Sequence, residues 1–135
     1  MKKLIAALVG MLAGGLVQAD NLEGVNEIVC AAAQVQICIE NDTCYAAPPF
    51  ELDVPDFVVI DISKKTISTT KASNENRSTK FTSVEKLDGL IYLQGVEGGR
   101  AFSFVIDEAT GHMTVAVSRD GLSVSVFGAC TDTDL

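Results

Sequence analysis

Acid–base or nucleophilic catalysis needs a histidine, cysteine, serine or carboxylate within hydrogen-bond reach of a partner. The chain has one histidine, His112, at the end of the turn-like stretch Glu108-Ala109-Thr110-Gly111 and on the face opposite Met113. Thr114 and Ser118 share its face, but the spacing places no acid to orient the imidazole, so His112 reads as an exposed turn residue. Ser103, Ser118, Ser123 and Ser125 alternate with apolar residues and mark a solvated sheet face. Asp88-Gly89 and Asp120-Gly121 are hairpin-turn dipeptides before they are ligands. Asp132-Thr133-Asp134 lacks the glycine and bidentate glutamate of a calcium loop. No glycine-rich loop opens a helix, so no phosphate cradle is visible. These residues assign no catalytic role, metal or cofactor, and the chain reads as a non-enzyme.

Arg100 is the polar residue that stands out. It follows Gly98-Gly99 at a hairpin and lies close to Glu97. A rim arginine there anchors a carboxylate or a partner surface; the alternative is a local ion pair worth under about 1 kcal/mol. Arg100 and Glu97 are the candidate interaction residues.

The four cysteines are Cys30, Cys38, Cys44 and Cys130, separated by 7, 5 and 85 residues. Zinc sites and thioredoxin-type motifs use Cys-x2-Cys pairs, which are missing here. Cys38 and Cys44 flank Ile39-Glu40-Asn41-Asp42-Thr43, whose centre is rich in turn residues. A hairpin there sets the two sulfurs opposite each other. Cys30 then pairs with Cys130, and in the loop-entropy account so long a loop is worth about 4–5 kcal/mol.

The elements that carry these residues read as strands. From Thr79 onward, the turn signals Asp88-Gly89, Glu97-Gly98-Gly99, Glu108–Gly111 and Asp120-Gly121 separate runs with period-2 alternation. Phe102, Phe104 and Ile106 share one face, as do Met113, Val115 and Val117, and then Leu122, Val124 and Val126. A two-residue loop at Asp120-Gly121 sets Val117 opposite Val124. A four-residue loop at Glu108–Gly111 sets Phe104 opposite Val115. A loop at Glu97-Gly98 sets Leu93 opposite Phe102, and one at Asp88-Gly89 sets Val84 opposite Leu93. All four turns gather the apolar set on one face, which a one-residue slip would destroy. The result is an antiparallel meander of five strands.

Upstream, Phe57–Ile62 and Thr66–Thr70 form a further hairpin around Lys64-Lys65. Ile28–Glu40 reads either as a long strand with Cys30 and Cys38 on one face or as a short helix around Cys30-Ala31-Ala32-Ala33. Residues 71–80 read as a polar loop. The fold class is therefore all-β: an antiparallel meander of 7–9 strands in a closed or partly closed β-barrel stapled by disulfides, with a β-sandwich as the alternative. The Cys30–Cys130 bridge marks the place where the barrel closes. The inward apolar set is bulky enough to fill the interior, which predicts a packed core.

Residues 1–19 stand apart from this domain. Lys2 and Lys3 precede a 14-residue uncharged apolar run, Leu4–Val17, and Val17-Gln18-Ala19 resembles a cleavage site. That is the pattern of a secretory signal peptide, and the run is short of the roughly 20 residues that span a bilayer. Residues 20–135 then form a single β domain. Removing 19 residues from 135, two of them lysines and none acidic, leaves 116 and moves the formal charge from −8 to −10. So acidic a chain has no basic excess for a nucleic-acid backbone. No further stretch offers a membrane span.

At Ile91-Tyr92-Leu93-Gln94-Gly95, Gly99-Arg100-Ala101-Phe102-Ser103-Phe104 and Phe127-Gly128-Ala129-Cys130-Thr131 the chain resembles uncharacterised small exported proteins of Gram-negative bacteria with no assigned activity. The resemblance covers most of the mature part, cysteines included. It implies export and a compact β domain, and it carries over no catalytic residue. A looser likeness, of architecture alone, is to periplasmic lysozyme inhibitors, whose inhibitory loop has no counterpart here.

The function these features lead to is that of a periplasmic or secreted, monomeric, non-enzymatic binding or interaction module. Its acidic surface suits a basic periplasmic or secreted partner. The alternatives are an inhibitor of a basic enzyme such as lysozyme and a carrier of a small apolar ligand. Protein recovered after export is expected to have the intact mass of a chain beginning at Asp20; full-length chain in the membrane fraction would overturn this.

Overall fold

Each run of alternating residues becomes a strand. The computed structural model describes residues 21–52 and 55–133; the leader expected at 1–19 and Asp134 of the acidic tail lie outside the described residues. The strands are β1 (Glu27–Ile39), β2 (Cys44–Ala47), β3 (Phe57–Asp61), β4 (Thr66–Thr69), β5 (Ser78–Lys80), β6 (Ser83–Leu87), β7 (Leu90–Glu97), β8 (Arg100–Asp107), β9 (His112–Arg119) and β10 (Leu122–Asp132). Short 3-10 turns occupy Pro49–Leu52 and Lys71–Ser73. The sheet order is β5-β4-β3-β1-β10-β9-β8-β7-β6, and β2 pairs with the second half of β1. The sheet is antiparallel and curls into a half-barrel.

The described strands number ten rather than seven to nine. The additions are short: four residues at β2 and three at β5, the latter inside the stretch that reads as a polar loop. They are too short to show an alternation.

Three of the four hairpin registers in β6–β10 follow the sequence pattern. Val117 lies opposite Val124, Phe104 opposite Val115 and Val84 opposite Leu93. The β7–β8 hairpin differs. Leu93 lies opposite Phe104 and Gly95 opposite Phe102, because the loop is Gly98-Gly99 rather than Glu97-Gly98. Both glycines have positive φ, 56° and 78°, as a two-residue loop of the favoured hairpin type requires. The shift moves each partner by two residues, so the same side chains still face inward.

β1 is a strand throughout, without the helical turn that its alanines allow. It pairs with β10 along its length, and the register slips between Ala32 and Gln34. Ala33 is the extra residue of a bulge. The bulge reverses which residues point inward: Ile28 and Cys30 before it, Val35 and Ile37 after it, are buried. Cys30 and Cys38 therefore lie on opposite faces, not on one. Gly128 sits across from Ala32 at the bulge, and a Cβ there would run into the Ala31 carbonyl oxygen. Only glycine fits so close an approach.

Both expected disulfides are present. Cys30–Cys130 and Cys38–Cys44 join directly opposite residues of paired strands, with Cα–Cα distances of 4.0 and 4.1 Å. Cys30–Cys130 does not mark the seam of the half-barrel, since β1 and β10 lie in the middle of the sheet. The sheet ends at β5 and β6, which are joined by Phe81 and Thr82 alone. Phe81 N donates to the Lys65 carbonyl and Thr82 N to the Gln94 carbonyl, each at 2.8 Å. The segment thus pairs with one end of the sheet, bends, and pairs with the other.

The β3–β4 turn is held by Asp61. Its Oδ1 accepts from Lys64 N at 2.8 Å, from Ser63 Oγ at 3.1 Å and from Asn26 Nδ2 at 3.3 Å. The bond from the Lys64 main chain is the largest influence holding its carboxyl below the usual carboxylate range; partial burial acts against it.

Two outcomes follow. Gly128→Ala should lower unfolding free energy by roughly 2 kcal/mol or more, as overpacking does, read as a drop in the urea midpoint; an unchanged midpoint would show that β1 yields. A depressed folded-state pKa stabilises at neutral pH and is lost as pH falls through it. Wild type should therefore lose more stability than Asp61→Asn on acidification from about pH 5 to about pH 3, with equal losses counting against the Asp61 turn.

Candidate functional site: a half-barrel cavity with an arginine mouth

Inward-facing residues of neighbouring strands fill one end of the half-barrel and leave the other hollow. At the filled end, near the turns at 88–89 and 108–111, Ile91 and Ile106 are fully buried. Leu22 is 0% exposed and belongs to the same core, held there as its N–H donates to the Glu108 carbonyl. Further along β8, β9 and β10, Phe102, Val117 and Leu122 are half-buried. They line a cavity of about 440 Å³ that continues inward past Phe104, Val115 and Val124. The packed interior predicted from side-chain bulk is thus found at one end only. Ten strands give a wider curve than these side chains span.

Phe102 and Phe104 of β8 line the cavity and belong to an aromatic cluster with Phe81. Phe81 is buried at the bend between β5 and β6, and it packs edge-on against Phe102 and Phe104, with both centroid separations 5.8 Å. Phe102 and Phe104 are themselves edge-on at 6.0 Å. Such T-shaped contacts are the favoured geometry for aromatic rings. Gly95, opposite Phe102, leaves room for the ring: a Cβ there would sit 2.5 Å from Phe102 Cζ.

The mouth is polar. Arg100 and Glu97 are cross-strand partners flanking Gly98-Gly99, and both line the cavity. The ion pair that their spacing suggests is not formed. Arg100 Nε is buried and has no hydrogen-bond partner. On its other side Arg100 lies directly opposite Arg119, which also lines the cavity. Among the described residues Arg77 and Glu51 also line the cavity. Arg77 is held in place through its main chain: its N–H donates to Thr69 Oγ1 at 2.9 Å, and its carbonyl accepts from Thr69 N at 3.0 Å.

His112 lies elsewhere. It is exposed at the start of β9 with its side chain on the outer face, away from the cavity. Ser118, Ser123 and Ser125 are exposed on that same face. Among the described residues no group of three or more histidine, cysteine or acidic side chains is placed to hold a metal ion. No helix among them is long and apolar enough to cross a membrane.

The structure thus joins the two candidate interaction residues to a site that sequence reasoning left out. Arg119 was within reach: extending the β8–β9 register by one inward pair beyond Phe102 and Val117 sets it against Arg100. Arg77 gave no such signal, because it comes to the site from the connection between β4 and β5, where it pairs with Thr69. No protein-family model matches the chain and no curated protein matches it, so the cavity and its arginine mouth are the ground on which function is read.

Proposed function

We propose that this is an exported, non-enzymatic binding domain that takes one small apolar ligand into the half-barrel. The observation that carries the reading is the cavity. Its volume of about 440 Å³ lies within the range of about 300–1,000 Å³ typical of small-molecule sites. Its lining is mostly apolar, with phenylalanine, valine, leucine, isoleucine and methionine side chains, joined by Ser68, Thr69, Ser78 and Thr79 from β4 and β5 and by the charged residues of the mouth. Two disulfides suit an oxidising compartment outside the cytoplasm, in keeping with the leader-like start and the resemblance to exported proteins.

Ligand carriage takes precedence over a docking role towards a basic protein or a lysozyme. A cationic partner gains from an acidic surface, but the built site gathers arginines at its mouth, and these repel a cation.

The test is fluorescence titration of the disulfide-bonded domain with N-phenyl-1-naphthylamine, an uncharged apolar probe. Saturable binding of one probe per chain is expected. Val117→Trp, which places an indole in the cavity, should weaken it about tenfold, a loss of about 1.4 kcal/mol. Absence of saturable binding, or equal binding by the variant, would overturn the reading.

A further inference from the structure

We infer that the ligand is a single-chain amphiphile with an anionic head, a carboxylate or a phosphate. Its tail lies among the apolar walls and its head between Arg100 and Arg119. This rests on the cavity being a ligand site and adds the chemistry of what it holds.

The distribution of cations is the first observation. The chain contains three arginines, Arg77, Arg100 and Arg119, and all three line this one cavity. None of the described lysines does. A guanidinium presents a planar fork that matches carboxylate and phosphate oxygens, whereas an ammonium acts as a point charge. In a chain of formal charge −8, scattered surface cations would fall on both residue types.

The second observation is an unfavourable arrangement. Arg100 and Arg119 face each other across β8 and β9. Like charges directly opposite in a sheet destabilise it. Arg100 Nε is also buried without a hydrogen-bond partner, and a buried donor left unpaired carries a desolvation cost. One anion between the two guanidiniums removes the repulsion and offers the Arg100 guanidinium an acceptor. A neutral head leaves the charge repulsion in place, and an amine head adds to it. Glu97 and Glu51 also line the cavity, yet Glu97 leaves Arg100 Nε unsatisfied.

The third is size. A cavity of about 440 Å³ sits near the small end of ligand pockets. It suits one chain of medium length and not a two-chain lipid.

The experiment is displacement of N-phenyl-1-naphthylamine from the disulfide-bonded domain by decanoate, decyl phosphate, decanol and decylamine. These share a tail and differ in head. Decanoate, decyl phosphate or both should bind at least about tenfold tighter than decanol, as charge-assisted bonds from arginine imply, with decylamine weakest. The stronger of the two anions identifies the head. In Arg100→Gln and in Arg119→Gln the preference for the anion over decanol should collapse towards one. If decanol equals both anions in the wild type, or if the preference survives both substitutions, the head-group inference fails while the cavity reading stands. If the probe does not bind at all, both fall.

Discussion

The ladder between β1 and β10 holds this molecule together. It runs from Ile28 opposite Asp132 to Ile39 opposite Leu122 and joins the start of the domain to its end. On one side of it lies the hairpin meander β6–β10, made of local pairings. On the other lie β2 and β3, which depend on β1 for their only neighbour or for one of two. Ordering β1 means closing a loop of nearly the whole domain, and such non-local pairing is slow to form. The buried Cys30–Cys130 bridge lies within this ladder and restrains that loop in the unfolded chain. The bulge at Ala33 and the close approach at Gly128 belong to the same ladder, so a local change there reaches both halves of the sheet.

Much of the architecture can be read from alternation, and the places where the reading fails have physical causes. Inward and outward positions repeat every two residues, so the apolar pattern resolves register only to the nearest two. That is why the β7–β8 partners are displaced while every inward residue is still assigned correctly. The turn itself breaks the tie, since Gly98 and Gly99 both tolerate positive φ and Glu97 does not share that freedom. The bulge in β1 falls within Ala31-Ala32-Ala33, where three identical small side chains carry no alternation to read. The short strands β2 and β5 lack the length for a pattern. The hollow interior is of another kind: side-chain volume can be summed from a sequence, but the radius that must be filled depends on strand number and curvature.

The candidate site inherits this limit. Arg100 and Glu97 are legible because a turn sets them side by side. The opposition of Arg100 and Arg119 comes from carrying the β8–β9 register one inward pair past Phe102 and Val117, and the placement of Arg77 comes from its pairing with Thr69 near the edge of the sheet. A site assembled from the rim of a curved sheet collects residues that are unremarkable one by one. Its character lies in what the rim concentrates: forked cations above apolar walls, in a protein whose overall charge is of the opposite sign.

The aromatic wall has a consequence for how the protein can be observed. The chain contains no tryptophan and two tyrosines. Phe57 and Phe127 are exposed and have little fixed asymmetry around them. Phe81, Phe102 and Phe104 are locked edge-on beside the cavity. The narrow vibronic bands of phenylalanine, which indole absorption normally hides, are therefore open to view in near-ultraviolet circular dichroism. Among the described phenylalanines, Phe81, Phe102 and Phe104 have the fixed, asymmetric surroundings that give these bands rotational strength. The natural sequence carries its own optical reporter of the width of the half-barrel, with no label introduced.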